Sequence, residues 1–125
     1  MKLVPILGAA VIVGLLLQIY LGFSASGGAI SQSIHVGIGL VGLAIAIAFV
    51  ALAFRSKSAT MASKVTMVVF LVLVLAQTYL GFSVMTGASR FTTFHTLTGI
   101  GVLVVALVAA GITARRRPSP PKPPM

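Results

Sequence analysis

The sequence predicts an all-α integral membrane protein, a four-helix bundle made of two tandem two-helix repeats related by a pseudo-twofold axis along the membrane normal. Three observations predict it. Of the 125 residues, 58% are hydrophobic and only 7% charged, too few polar side chains to cover a soluble domain of this size. Four apolar runs are each long enough to cross a bilayer, which takes roughly 20 residues. A seven-residue block also recurs with six of its seven positions identical.

The apolar runs fall at 3–23, 34–54, 65–85 and 94–114. The first follows Lys2 and precedes Ser24-Ala25-Ser26, as in a secretory leader. Its length and its counterpart in the second repeat make it a membrane helix instead. The connections are short: 24–33 is rich in Ser and Gly, 55–64 is basic, and 86–93 is Gly/Ser/Thr-rich with one arginine. Residues 1–114 thus form the transmembrane domain. Residues 115–125, Arg-Arg-Arg-Pro-Ser-Pro-Pro-Lys-Pro-Pro-Met, read as a basic, polyproline-like cytoplasmic tail.

The charges orient the chain. Lys2, Arg55, Lys57, Lys64, Arg115, Arg116, Arg117 and Lys122 fall on one side, and only Arg90 on the other. By the positive-inside rule both termini are cytoplasmic, in a multi-pass protein of the cell (plasma) membrane. A net charge of +9 placed at the ends of apolar runs speaks for membrane topology and against nucleic acid. The chain has no Asp, Glu or Cys. Disulfides and thiolate metal sites are excluded. A proton-coupled transporter ranks last, because it generally relies on an embedded carboxylate.

The repeat carries the candidate site. Residues 18–24 read Gln-Ile-Tyr-Leu-Gly-Phe-Ser and residues 77–83 Gln-Thr-Tyr-Leu-Gly-Phe-Ser, an offset of 59 positions. A short loop and a histidine follow each block, His35 and then His95, with Gly39 and Gly99 four residues further on. Two copies of a two-helix unit enter the membrane from the same side. The histidines are then expected at equal depth near the outer face, opposed across the bundle. Gly39 and Gly99 are expected one turn deeper, beneath the imidazoles. Gln18 and Gly22, with Gln77 and Gly81, form matching i, i+4 pairs on the first and third helices.

Two opposed imidazoles beside glycines suit a flat metal cofactor, and haem b with bis-histidine ligation fits best. The metal ligands are His35 and His95. The surrounding cofactor-binding set is Gly39, Gly99, Gln18, Gln77, Gly22 and Gly81, with Arg90 as the propionate partner. Ser31, Ser33, Thr92 and Thr93 are secondary hydrogen-bonding candidates. A cofactor-free reading gives these residues ordinary roles. The histidines become interfacial polar groups, and the glutamines interhelical hydrogen-bond glue. Gly37, Gly42 and Gly101 become close-packing positions, Tyr20 and Tyr79 aromatic anchors, and Met85 packing.

Gln-x-x-Leu-Gly near the end of one helix, then a histidine opening the next, all repeated, resembles the haem A synthase family. Gln77-Thr78-Tyr79-Leu80-Gly81 with His95, and Gln18-Ile19-Tyr20-Leu21-Gly22 with His35, carry the likeness over residues 3–114. The resemblance implies one four-helix half of that two-half architecture, with haem held by His35 and His95. The family's reactive half has Glu three residues before its first histidine and Arg just after it; Gln32 and Val36 stand here. The family's loop cysteines are also missing. The chain looks like the haem-holding half.

The expected function is therefore a membrane b-type cytochrome, an electron-transfer or accessory subunit of a respiratory or other oxidoreductase complex. Its expected partners are other membrane subunits or a second copy, with quinol or an external redox protein as exchange partner. One alternative is a minimal haem A synthase-like enzyme working as a dimer. The other is a cofactor-free structural subunit.

Overall fold

The computed structural model describes residues 3–57 and 59–115. Lys2 and all of the tail beyond Arg115 lie outside the described residues. Four long helices make up the chain: α1 (Leu3–Ser26), α2 (Gln32–Arg55), α3 (Met61–Met85) and α4 (Thr92–Ala114), with a single 3₁₀ turn, Ser89–Phe91, before α4. Helices of 23 to 25 residues are about 35–38 Å long. That exceeds the hydrocarbon core of a bilayer, about 30 Å. Each is long and apolar enough to cross a membrane, and this is a multi-pass membrane protein in a lipid bilayer.

Local chemistry sets the helix ends. Pro5 sits in the first turn of α1, where its missing N–H costs nothing. α1 and α3 end alike. Ala29 N–H donates to Ser24 O and Gly28 N–H to Ala25 O; Ala88 N–H donates to Ser83 O and Gly87 N–H to Val84 O. These are Schellman caps, which need a left-handed residue. Gly28 (φ 74°) and Gly87 (φ 96°) supply it. Ser31 caps α2 by accepting from Ser33 N–H, and Thr60 caps α3 by accepting from Ser63 N–H. The helices run past the apolar spans at these ends because capping, not hydropathy, terminates them.

Each helix packs on its neighbours in sequence, and α4 closes the ring on α1. α2 and α4 therefore stand on one diagonal of the bundle. The tightly packed core lies in the half toward the 56–60 connection. Phe49 and Phe70 are fully buried there, edge to face with centroids 6.2 Å apart. Met67, Val102, Ala106 and Ala109 complete it. Gly8 lets α1 approach, since a Cβ there would stand 3.3 Å from both Ala110 Cβ and Phe49 Cε2. The other half, at the end of the 27–31 and 86–91 connections, is open.

Candidate functional site: paired histidines in a membrane cavity

The open half holds a cavity of about 420 Å³ walled by all four helices. Its floor includes Val11, Ala46, Phe70 and Val102, the top of the packed core. The lining includes Gln18, Gly22, His35, Gly39, Gln77, Gly81, His95 and Gly99. Eight residues singled out from the repeat therefore meet around one space.

Each histidine is the fourth residue of its helix, in the first turn of α2 and of α4. Because those helices are diagonal, the rings face across the bundle, with centroids 6.2 Å apart and planes at 86°. Both side chains are half-buried.

The glycines are arranged differently from the sequence expectation. Gly39 and Gly99 lie one turn deeper than the histidines on the same helices, but what they meet is not the imidazoles. A Cβ on Gly39 would collide with the Gln18 amide nitrogen, and one on Gly99 would stand 2.8 Å from the Gln77 amide nitrogen. The imidazoles rest on Gly22 and Gly81 instead. A Cβ there would be 3.3 Å from His35 Cε1 and 3.0 Å from His95 Cε1. Side-chain lean explains the exchange. Cα–Cβ bonds tilt toward the helix N-terminus, and α1 and α2 are antiparallel. His35 thus leans toward the loop end and meets Gly22, while Gln18 leans inward and meets Gly39. Gln18 Nε2 donates to the His35 backbone carbonyl at 3.0 Å.

Four polar atoms at the cavity are enclosed without a hydrogen-bond partner: His35 Nδ1, His95 Nδ1, Gln18 Oε1 and Gln77 Oε1. Each such buried atom costs about 1–3 kcal/mol. Their clustering marks a polar site within an apolar bundle. No charged side chain lines the cavity among the described residues.

Other expected contributors lie elsewhere. Arg90 is exposed on the 3₁₀ turn, its guanidinium 5.0 Å from the Phe91 ring centroid, outside the cavity lining. Ser31 and Ser33 bond each other at 2.7 Å in the α2 cap. Thr92 reaches the cavity, while its hydroxyl donates to Ser89 O. Gly37, Gly42 and Gly101 are not close-packing positions within the chain, because nothing lies within 4 Å of a Cβ built on any of them. Gly42 faces the cavity, as does Gly14, which is equally open. Sequence reading passed over Gly14, Thr96 and the cavity position of Met85. Counting three to four residues inward from Gln18 would have found Gly14.

Among the described residues no group of three or more His, Cys, Asp or Glu converges. Two imidazoles alone make an incomplete shell for a bare ion, and would suit only a metal group that brings its remaining ligands with it. The bare faces of Gly22 and Gly81 beneath the two rings leave room for such a group. Comparison with family models, curated proteins and solved structures finds no match. The class defined by fold and site is a four-helix membrane protein with paired histidines in a cavity.

Proposed function

We propose that this protein is a membrane b-type cytochrome, in which His35 and His95 would hold one haem, with electron transfer, within or beside a larger oxidoreductase complex, as its role. The observation that carries the reading is the 6.2 Å separation of the two ring centroids on diagonal helices. A metal group held by both would take one ring nitrogen from α2 and one from α4. The cavity volume of about 420 Å³ falls in the range of cofactor pockets, roughly 300–1,000 Å³.

Haem supplies a one-electron couple. The chain's own residues hold, orient and insulate it. His35 and His95 would hold the metal from opposite helices. Gly22 and Gly81 let the rings lie against α1 and α3. Gln18 ties the α2 backbone at His35 to α1. Val11, Ala46, Phe70 and Val102 keep the floor apolar, which lowers the local dielectric around the couple. Electron transfer asks for no proton donor, in keeping with a sequence that has no carboxylate side chain.

The same reading takes the two-helix unit as duplicated about a pseudo-twofold axis along the membrane normal. Matching contacts in the two copies support this: His35 on Gly22 with His95 on Gly81, and Gln18 on Gly39 with Gln77 on Gly99. Arg55, Lys57, Lys64 and Arg115 gather at one end of the bundle and Arg90 at the other. That distribution supports cytoplasmic termini in a plasma membrane and a haem near the outer leaflet. The resemblance to haem A synthases supports haem holding. Gln32, rather than Glu, lines the cavity, which favours electron transfer over haem modification.

A reduced-minus-oxidised absorption spectrum of detergent-purified protein tests the proposal. A sharp low-spin b-type band is expected, replaced in His35→Ala and His95→Ala by the broad spectrum of haem held through a single histidine. A colourless protein after expression with ample haem would refute it.

A further inference from the structure

The orphaned Nδ1 atoms point to a role for two glycines. In a helix the carbonyl of residue i lies at the amide of residue i+4, so the Gln18 carbonyl sits at Gly22 and the Gln77 carbonyl at Gly81. Each carbonyl has a second lone pair beyond its helical bond. Glycine leaves that backbone bare. The His35 ring lies against Gly22 and the His95 ring against Gly81, each one helical turn from the glutamine of its block. The built Cβ of Gly22 meets the His35 ring edge, with Cε1 at 3.3 Å, Nδ1 at 3.7 Å and Nε2 at 3.9 Å, and that of Gly81 meets His95 with Cε1 at 3.0 Å and both nitrogens at 3.6 Å, so enclosure rather than distance tells the two nitrogens apart. In both copies Nδ1 is the enclosed ring nitrogen without a partner.

We propose that Gly22 and Gly81 are positioning residues that choose the ligating nitrogen: they seat each imidazole with Nδ1–H toward the carbonyl of Gln18 or Gln77 and leave Nε2 as the cavity-facing donor. The two ring nitrogens are distinct, and the hydrogen bond made by one decides what the other binds. A carbonyl-bonded Nδ1–H also makes Nε2 a stronger donor. A methyl at either glycine pushes the ring off the helix and breaks that relation. The inference rests on the haem reading for what Nε2 binds, and on the protein's own geometry for the tautomer.

The test has two arms on the full-length protein in detergent. In the first, ¹⁵N NMR of the haem-free protein, above the pH at which the imidazoles are neutral, reads the tautomer of each histidine. Nδ1–H is expected at both in the wild type. Gly22→Ala should convert His35, and Gly81→Ala His95, to Nε2–H, each without changing the other. Gly101→Ala, at an open helical site outside the cavity, is the control and should change neither. Wild-type histidines in the Nε2–H form, or alanine variants that keep Nδ1–H, overturn the inference.

In the second arm the variants are titrated with haem. Loss of the Nδ1–H bond to the carbonyl should weaken binding about 10- to 100-fold. It should also raise the midpoint potential, because a weaker imidazole donor stabilises the ferric state less. A purely steric role would lower occupancy and leave the potential of the bound fraction unchanged, and that result also overturns the inference. Absence of haem binding in the wild type sinks the haem reading, while the NMR arm still decides how the glycines seat the rings. Alanine favours helix over glycine, and a thermal melt matching that of Gly101→Ala confirms that each variant folds.

Discussion

Gln18 and His35 brace each other across α1 and α2. The Gln18 amide donates to the His35 carbonyl at 3.0 Å, while the His35 ring rests on Gly22, one turn further along α1. The brace is incomplete, because Gln18 Oε1 is enclosed with no donor. Replacing Gln18 by Leu keeps the bulk, removes a hydrogen bond worth about 1 kcal/mol net, and relieves an orphan acceptor costing about 1–3 kcal/mol. Gln18→Leu should therefore raise the thermal midpoint of the haem-free protein, by up to about 2 kcal/mol in stability, and weaken haem binding. A lower midpoint in detergent melts would mean that Oε1 is already satisfied.

The same substitution should have opposite signs at two glycines. Gly8 is wedged between Ala110 Cβ and the Phe49 ring, and Ala110 Cβ cannot rotate away. Gly8→Val overpacks the α1–α4 contact and should cost about 1–3 kcal/mol. Gly42 faces open cavity with nothing within 4 Å. Gly42→Val should gain about 0.5–2 kcal/mol in the haem-free protein, by removing a helical glycine and filling space. Parallel thermal melts of the two variants decide. Equal shifts would contradict the division between a packed half and an open half.

The four helices were legible because their signal is bulk composition. An apolar run of about 20 residues has one solution in a bilayer. The cavity set was legible because the recurring seven-residue block marks positions that composition alone would hide: Gln18 and Gln77 stand out in an apolar chain only when aligned with each other. Spacing does not encode which glycine meets which side chain. An i, i+4 pair such as His35 and Gly39 shares a helix face, but the space above Gly39 belongs to whichever antiparallel neighbour leans into it. That neighbour is Gln18. Arg90 enters the expected site by elimination, as the lone cation at its end, and its contact with the adjacent Phe91 depends on a 3₁₀ turn that spacing does not encode either.

Topology can be read with single cysteines, because the sequence has none of its own. Lys57 and Ser89 are exposed in connections at opposite ends of the bundle. In intact cells, Ser89→Cys should react with a membrane-impermeant maleimide and Lys57→Cys only after permeabilisation. The reverse pattern would overturn the positive-inside assignment.

Ligand access offers the sharpest contrast between the two histidines acting together and either acting alone. With both imidazoles bound, neither axial position is open, so the reduced protein should resist carbon monoxide. Removing His95 leaves His35 held against Gly22 and frees the opposite side, as in haem proteins with one axial histidine. His95→Ala loaded with haem should therefore bind carbon monoxide readily, with the shifted Soret band of the adduct, and His35→Ala should do likewise from the other face. Carbon monoxide binding by the wild type as readily as by the variants would mean that one of the two histidines is not a ligand. The variant that changes nothing would identify which.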